Sequence, residues 1–121
     1  MADDVTERII GAAIEVHRLL GPGLLESIYE QALCHELAVR GVGFERQVPI
    51  DVVYKDLRIS GQRLDLVVEG QVIVEIKSLS ALPDVAEAQI LSYLKAAGLK
   101  RGLIINFGAK LLVSGIKRYS L

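Results

Sequence analysis

Hydrophobic residues recur at helical spacing in two segments near the start of the chain. In the first segment the apolar positions follow one another at intervals of three and four residues, from Val5 to Leu20, as on one face of an amphipathic helix. Gly21 and Pro22 predict the end of that helix. A second apolar stripe predicts a helix over residues 25–40, which Gly41 closes. The chain is therefore expected to begin with two helices that bury one face each.

The middle of the chain changes to strand-like runs, rich in β-branched residues, over residues 44–54, 57–68 and 71–77. Short links separate these runs and favour an antiparallel meander of three strands. Pro83 and Asp84 predict the start of a third helix, which Gly98 ends, and two more strands are expected at 102–107 and 113–119. The order ααβββαββ predicts an α+β (mixed α/β) fold, a mixed sheet flanked by helices, in one domain over residues 1–121.

Composition narrows the class of protein. The 121 residues are 51% hydrophobic and carry a net charge of −1, so the chain has no general electrostatic attraction to nucleic acid or to an anionic membrane. No apolar run approaches the ~18 residues of a membrane span, and no signal-peptide pattern stands at the N-terminus. Cys34 is the single cysteine, so no disulfide framework is expected and a cytoplasmic location is favoured.

Three ionisable residues lie within the second and third strand-like runs, where charge is costly to bury: Asp65, Glu75 and Lys77. Strand alternation places Glu75 and Lys77 on one face. A two-residue loop at 69–70 would point Asp65 to the other face. A three-residue loop at 68–70 would pair Asp65 with Ile73, diagonal to Glu75 on the same face. Gly70 suits the left-handed third position of the longer loop, so we expect the two carboxylates to converge.

Two neighbouring carboxylates repel each other unless a cation lies between them. Lys77 can neutralise one of them, whereas a divalent ion such as Mg²⁺ or Mn²⁺ would neutralise both and prefers oxygen ligands. The alternative interpretation is a partly exposed strand face that carries a surface pair of Glu75 and Lys77. Spacing alone does not separate these two interpretations.

Wider motifs favour the site. Asp65 followed by Glu75-Ile76-Lys77 resembles the D…(D/E)-x-K signature of the PD-(D/E)XK nuclease superfamily, although Leu64 replaces the proline that often precedes the aspartate. The run "GLLESIY", residues 23–29, resembles the motif of the GxxExxY protein family, a branch of that superfamily. The run "AEAQILSYL", residues 86–94, is similar to the Q-x-x-x-Y helix motif of exonuclease-type members.

This resemblance implies a restriction-endonuclease-like core and metal-dependent hydrolysis of phosphodiester bonds in nucleic acid, with DNA the first expectation. It implies that Mg²⁺ or Mn²⁺ is held by Glu26, Asp65, Glu75 and the backbone carbonyl of Ile76. Lys77 would position the attacking water or stabilise charge on the phosphate. Gln89 and Tyr93, four residues apart on one helix, would hold the edge of the site or the phosphate backbone.

A non-catalytic module that binds nucleic acid or another protein is the alternative function, and the near-neutral charge favours it. The intact set of Asp65, Glu75 and Lys77 favours an enzyme. A third reading is a subunit whose grip on DNA comes from a homodimer or from a protein partner. Tyr29, His17 and Cys34 are interpreted as structural residues rather than catalysts.

Overall fold

The computed structural model describes residues 4–121. Within that range the chain forms three helices, five strands and one short 3₁₀ turn, in the predicted order. They are α1 (Asp4–Leu20), α2 (Glu26–Val39), β1 (Phe44–Tyr54), β2 (Leu57–Val68), β3 (Val72–Lys77), α3 (Val85–Ala97), β4 (Arg101–Asn106), the 3₁₀ turn (Leu112–Gly115) and β5 (Ile116–Ser120). Gly98 ends α3 in the left-handed conformation that a helix C-terminus favours.

The sheet has the strand order β1-β2-β3-β4-β5. The first three strands form the predicted antiparallel meander. β4 then lies parallel to β3, which requires a crossover, and α3 supplies it. β5 returns antiparallel to β4. The mixed sheet flanked by helices is therefore confirmed.

Helices cover both faces of the sheet. One core cluster joins α1 and α2 to side chains such as Leu66, Val74 and Ile105. A second, smaller cluster joins α3 to Ile73 and Ile104 on the opposite face. Because β3 and β4 are buried from both sides, they read as almost continuous apolar runs. Within residues 4–121 no helix is both long enough and apolar enough to cross a membrane.

The predicted β2–β3 loop was wrong in its position. Val68 pairs with Val72, so the three loop residues are 69–71 and not 68–70. Both Glu69 and Gly70 take positive φ angles, 52° and 64°. In this register Val68 and Val72 are both fully buried in the core. The predicted loop would have placed Val68 in the turn. Continued by one residue, this register sets Asp65 directly across from Glu75 rather than diagonal to it.

The regular alternation of faces along the β1–β2 hairpin is interrupted at Gln47 and Asp65. The pairs on either side of this point are Arg46 with Leu66 and Val48 with Leu64. Simple alternation would place Leu64 and Leu66 on one face of the sheet. Instead Leu66 packs in the α1–α2 cluster and Leu64 packs in the α3 cluster. Asp65 therefore lies where the hairpin changes the face that it presents to the core.

Candidate active site

Strands β2 and β3 separate at Asp65 and Glu75, and side chains replace the ladder there. The last paired residues are Leu66 and Val74. Beyond them the backbone amide of Asp65 donates to Glu75 Oε2 at 3.0 Å. The backbone amide of Ile76 donates to Asp65 Oδ2 at 2.8 Å. Each carboxylate is thus fixed by the backbone of the opposite strand, and the predicted convergence of the two groups is observed.

The remaining carboxylate oxygens suit a hard divalent ion. Among residues 4–121 nothing donates a hydrogen bond to Asp65 Oδ1 or Glu75 Oε1. Both oxygens are accessible to solvent, since no buried side-chain oxygen in this range lacks a partner. The Ile76 carbonyl is directed to the same gap, because the amide and carbonyl of one strand residue face the same neighbour. Two carboxylate oxygens and one carbonyl oxygen are ligands that Mg²⁺ and Mn²⁺ accept.

The electrostatics of the pair are those of crowded, desolvated acids. Glu75 is only 8% exposed. Burial raises the pKa of Glu75 to about 7, and the charge of Asp65 adds to that rise. The pKa of Asp65 is also raised, chiefly by burial. The Lys77 charge opposes both shifts. A second cation between the carboxylates would relieve the same repulsion.

Lys77 is half-buried two residues after Glu75 on β3, on the face that alternation predicts. Within residues 4–121 its ammonium group forms no ion pair within 4.0 Å, although its charge reaches both acids. Its backbone carbonyl accepts a hydrogen bond from Phe107 at 2.8 Å. The lysine is therefore held by its backbone while its ammonium group remains available.

Asn106 fixes the chain that leaves Lys77, a role that sequence reasoning missed. This buried residue is the partner of Lys77 on β4. Its Oδ1 accepts from the amides of Leu79 and Gly108, at 2.9 and 3.0 Å. Its Nδ2 donates to the Leu79 carbonyl at 3.0 Å. The sequence signal was a polar residue that ends the apolar run "GLIIN".

The loop that precedes α2 is tied to the end of β3. The Tyr29 hydroxyl donates to the Gly21 carbonyl and accepts from the Leu24 amide at 3.1 Å. The Ser78 hydroxyl donates to the Leu24 carbonyl at 2.6 Å. Tyr29 is fully buried and stacks on Phe107, with 4.5 Å between ring centroids. Tyr29 therefore has the structural role predicted for it, and it holds the start of α2 near the site.

Glu26 is the first residue of α2 and is exposed. Its charge raises the pKa of both Asp65 and Glu75, as the smallest of the named causes. Within the described part of the chain, no three His, Cys, Asp or Glu side chains are grouped closely enough to hold an ion. Glu26 is thus near the pair without completing a three-acid site, and its ligand role stays a prediction.

The two predicted residues of α3 differ in placement. Tyr93 is half-buried, and its pKa is raised by burial and then by the charges of Glu75 and Asp65. Its hydroxyl therefore shares the electrostatic environment of the pair. Gln89 is exposed one turn earlier on α3. Its role stays a prediction.

Sequence reasoning also missed Glu30, a buried acid on α2. Glu30 forms an ion pair with Arg46 at 2.9 Å and accepts from the Gln47 side chain. The charge of Glu30 raises the pKa of Asp65 more than the charge of Glu26 does. The available signal was its position four residues after Glu26, which places both acids on the same side of the helix.

His17 and Cys34 are structural, as predicted. His17 Nε2 donates to the Ala109 carbonyl at 2.8 Å. Cys34 is buried, and burial raises the pKa of its thiol to about 11. A thiol with so high a pKa is a poor nucleophile.

Comparison with known protein families gives a match over nearly the whole chain. The family model of the PD-(D/E)XK nuclease superfamily matches residues 3–119. The match covers every helix and both strands that carry the carboxylate pair. No curated protein and no solved structure matches the chain significantly. The matching model describes the superfamily and does not identify the narrower GxxExxY branch.

Proposed function

The chain belongs to the PD-(D/E)XK nuclease superfamily, and we propose that it hydrolyses phosphodiester bonds in nucleic acid, with DNA as the first expected substrate and Mg²⁺ or Mn²⁺ as the cofactor. One observation carries the proposal. Asp65 and Glu75 face each other where β2 and β3 separate, each fixed by one backbone amide and each with one open oxygen. A divalent ion between the two open oxygens would balance the charge of two crowded, desolvated carboxylates.

Asp65, Glu75 and the Ile76 carbonyl would hold the ion, and Glu26 would reach it directly or through water. When bound, a divalent ion polarises a phosphate oxygen and lowers the pKa of its water. Lys77 orients the attacking water or stabilises charge on the phosphate. Tyr93, with Gln89 one turn away, contacts the nucleic-acid backbone at the edge of the site.

A non-catalytic nucleic-acid-binding or protein-interaction module is the second candidate, and the charge of the chain favours it. With 14 basic and 15 acidic side chains, one copy supplies little of the general attraction that dominates nucleic-acid affinity. The enzyme proposal accommodates this charge if a second copy or a protein partner contributes to the grip on DNA.

The test is a cleavage assay on supercoiled, linear duplex and single-stranded DNA and on RNA, with Mg²⁺, Mn²⁺ or EDTA. Asp65→Asn removes the charge but keeps an oxygen that can accept from the Ile76 amide. Asp56→Asn, in the exposed β1–β2 turn, is the matched control. We expect metal-dependent cleavage by the wild type and the control, and none by Asp65→Asn.

Two results would contradict the proposal in different ways. Nucleic-acid binding without cleavage, with both metals present, would favour the second candidate. Equal cleavage by Asp65→Asn and the wild type would place the chemistry elsewhere or in a contaminant.

A further inference from the structure

Glu30, a buried acid on α2, is the centre of a polar cluster that includes two exposed residues of β1, Arg46 and Gln47. Glu30 is 7% exposed. Its Oε2 accepts from Arg46 Nε at 3.2 Å and Arg46 Nη2 at 2.9 Å. Gln47 Nε2 lies 3.0 Å from Oε1 and 3.2 Å from Oε2. Both oxygens are therefore engaged by protein donors, and the guanidinium balances the charge.

Gln47 has an unusual backbone conformation, which this cluster accompanies. Its φ is 50°, in the left-handed region that costs a residue with a Cβ of order 1 kcal/mol or more and persists only where the surroundings hold it. In β1, Gln47 lies opposite Asp65, between the pairs of Arg46 with Leu66 and Val48 with Leu64. The donors that bind Glu30 thus come from the strand position that faces Asp65.

The same position is where the hairpin changes face. Leu66 packs toward α1 and α2, whereas Leu64 packs toward α3. A fixed change of face at this point sets the direction in which the Asp65 side chain projects from β2. The contact between Glu30 on α2 and Gln47 on β1 links this change of face to the helix that begins with Glu26.

We propose that Glu30, Arg46 and Gln47 are positioning residues. The contacts among their side chains hold the backbone of Gln47 in its left-handed conformation, and this conformation keeps the Asp65 carboxylate opposite Glu75. Glu30 acts through Gln47 and does not contact the ion, because Arg46 and Gln47 occupy its oxygens. The consequence for metal binding rests on the proposed function, whereas the effect on the Asp65 carboxylate does not.

The test uses two single variants and their combination. Glu30→Gln removes the charge that pairs with Arg46. Gln47→Glu places a second acid against Glu30, at an exposed position where the core stays intact. The double variant, with both substitutions, exchanges the two side-chain types and restores a carboxylate–amide contact beside Arg46. Glu36→Gln is the control, because it breaks a different ion pair on the same helix, the one with Arg40.

Two measurements are made on each full-length variant. The first is amide hydrogen exchange at Asp65 and Ile76 without metal, since these amides donate to the two carboxylates. The second is the dissociation constant for Mn²⁺ by calorimetry. We expect each single variant to accelerate exchange at these two amides relative to Ile104 on β4, and to weaken Mn²⁺ binding by about 10- to 100-fold. The double variant should recover both values, and the control should change neither.

The outcomes separate this inference from the proposed function. Folded single variants with unchanged exchange and unchanged Mn²⁺ affinity would overturn the positioning role alone. Accelerated exchange in a protein whose wild type binds no Mn²⁺ would support the positioning role and contradict the metal-dependent function. Because Gln47 is exposed, its variant decides the matter even if Glu30→Gln fails to fold.

Discussion

Replacing Glu75 by glutamine should stabilise the protein in the absence of metal. Burial first, and then the charge of Asp65, raises the pKa of Glu75 from its ordinary 4.5 to about 7. At roughly 1.4 kcal/mol for each pH unit, this shift corresponds to about 3 kcal/mol of destabilisation when Glu75 is ionised. Glutamine keeps the size of the side chain and an oxygen that can accept from the Asp65 amide, and it removes the charge.

The sign of the pH dependence follows from the direction of the shift. The folded protein binds a proton at Glu75 more tightly than the unfolded chain does, so the free energy of unfolding falls as the pH rises. The fall begins near 4.5, the ordinary value, and is complete once the pH passes the folded value of about 7. At pH 8 the Glu75→Gln variant should therefore unfold at a higher temperature than the wild type, by up to ~10 °C for a chain of this size. Near pH 4 the difference should vanish.

Urea unfolding between pH 4 and pH 8, without metal, measures this effect. Glu45→Gln, at an exposed position on β1, is the control and should reproduce the wild-type curve. A saturating divalent ion should restore wild-type stability by about 2.7 kcal/mol at a hundredfold excess over Kd and leave Glu75→Gln unchanged. Lower stability of Glu75→Gln at pH 8, with no metal effect on the wild type, would show instead that Glu75 is a structural partner of Lys77.

Three other predictions address the surrounding structure. Tyr29→Phe keeps the ring stack but removes the hydroxyl that fixes the loop before α2, so urea unfolding should show a loss of about 1–2 kcal/mol; an unchanged midpoint would contradict this role. Gly108→Ala would place a Cβ 2.3 Å from the Leu79 carbonyl oxygen, so it should cost roughly 1–3 kcal/mol by the same measurement, and a neutral effect would contradict the tight contact. The Cys34 thiol, with its pKa raised to about 11 by burial, should react slowly with thiol reagents at pH 8 and rapidly in urea; equal rates would contradict its burial.

Local signals in the sequence were sufficient to predict the order of the helices and strands. The spacing of apolar residues in α1, the β-branched run of β3 and the glycine after α3 each determine one element from a few neighbouring residues. Alternation within β3 likewise placed Glu75 and Lys77 correctly on one face. These features depend on contacts that are close in sequence, which is why they could be read from it.

Features that depend on contacts distant in sequence could not be predicted in the same way. The β2–β3 loop was shifted by one residue because the burial of Val68 and Val72, and not the preference of Gly70, decides the register. The cluster around Glu30 joins a helix to a strand 16 residues later. The positive φ of Gln47 has no sequence signature, since glutamine rarely adopts it and only tertiary contacts hold it there.

The most direct test of the metal site is a crystal structure of the protein soaked in Mn²⁺, with anomalous diffraction locating the ion. We predict an anomalous peak between the open oxygens of Asp65 and Glu75, at about 2.1 Å from each, the distance expected for a small hard divalent ion. The Ile76 carbonyl should be a third protein ligand, and the peak should be absent from Asp65→Asn. A fully occupied Mn²⁺ elsewhere on the protein, with no peak at this pair, would contradict the proposed site.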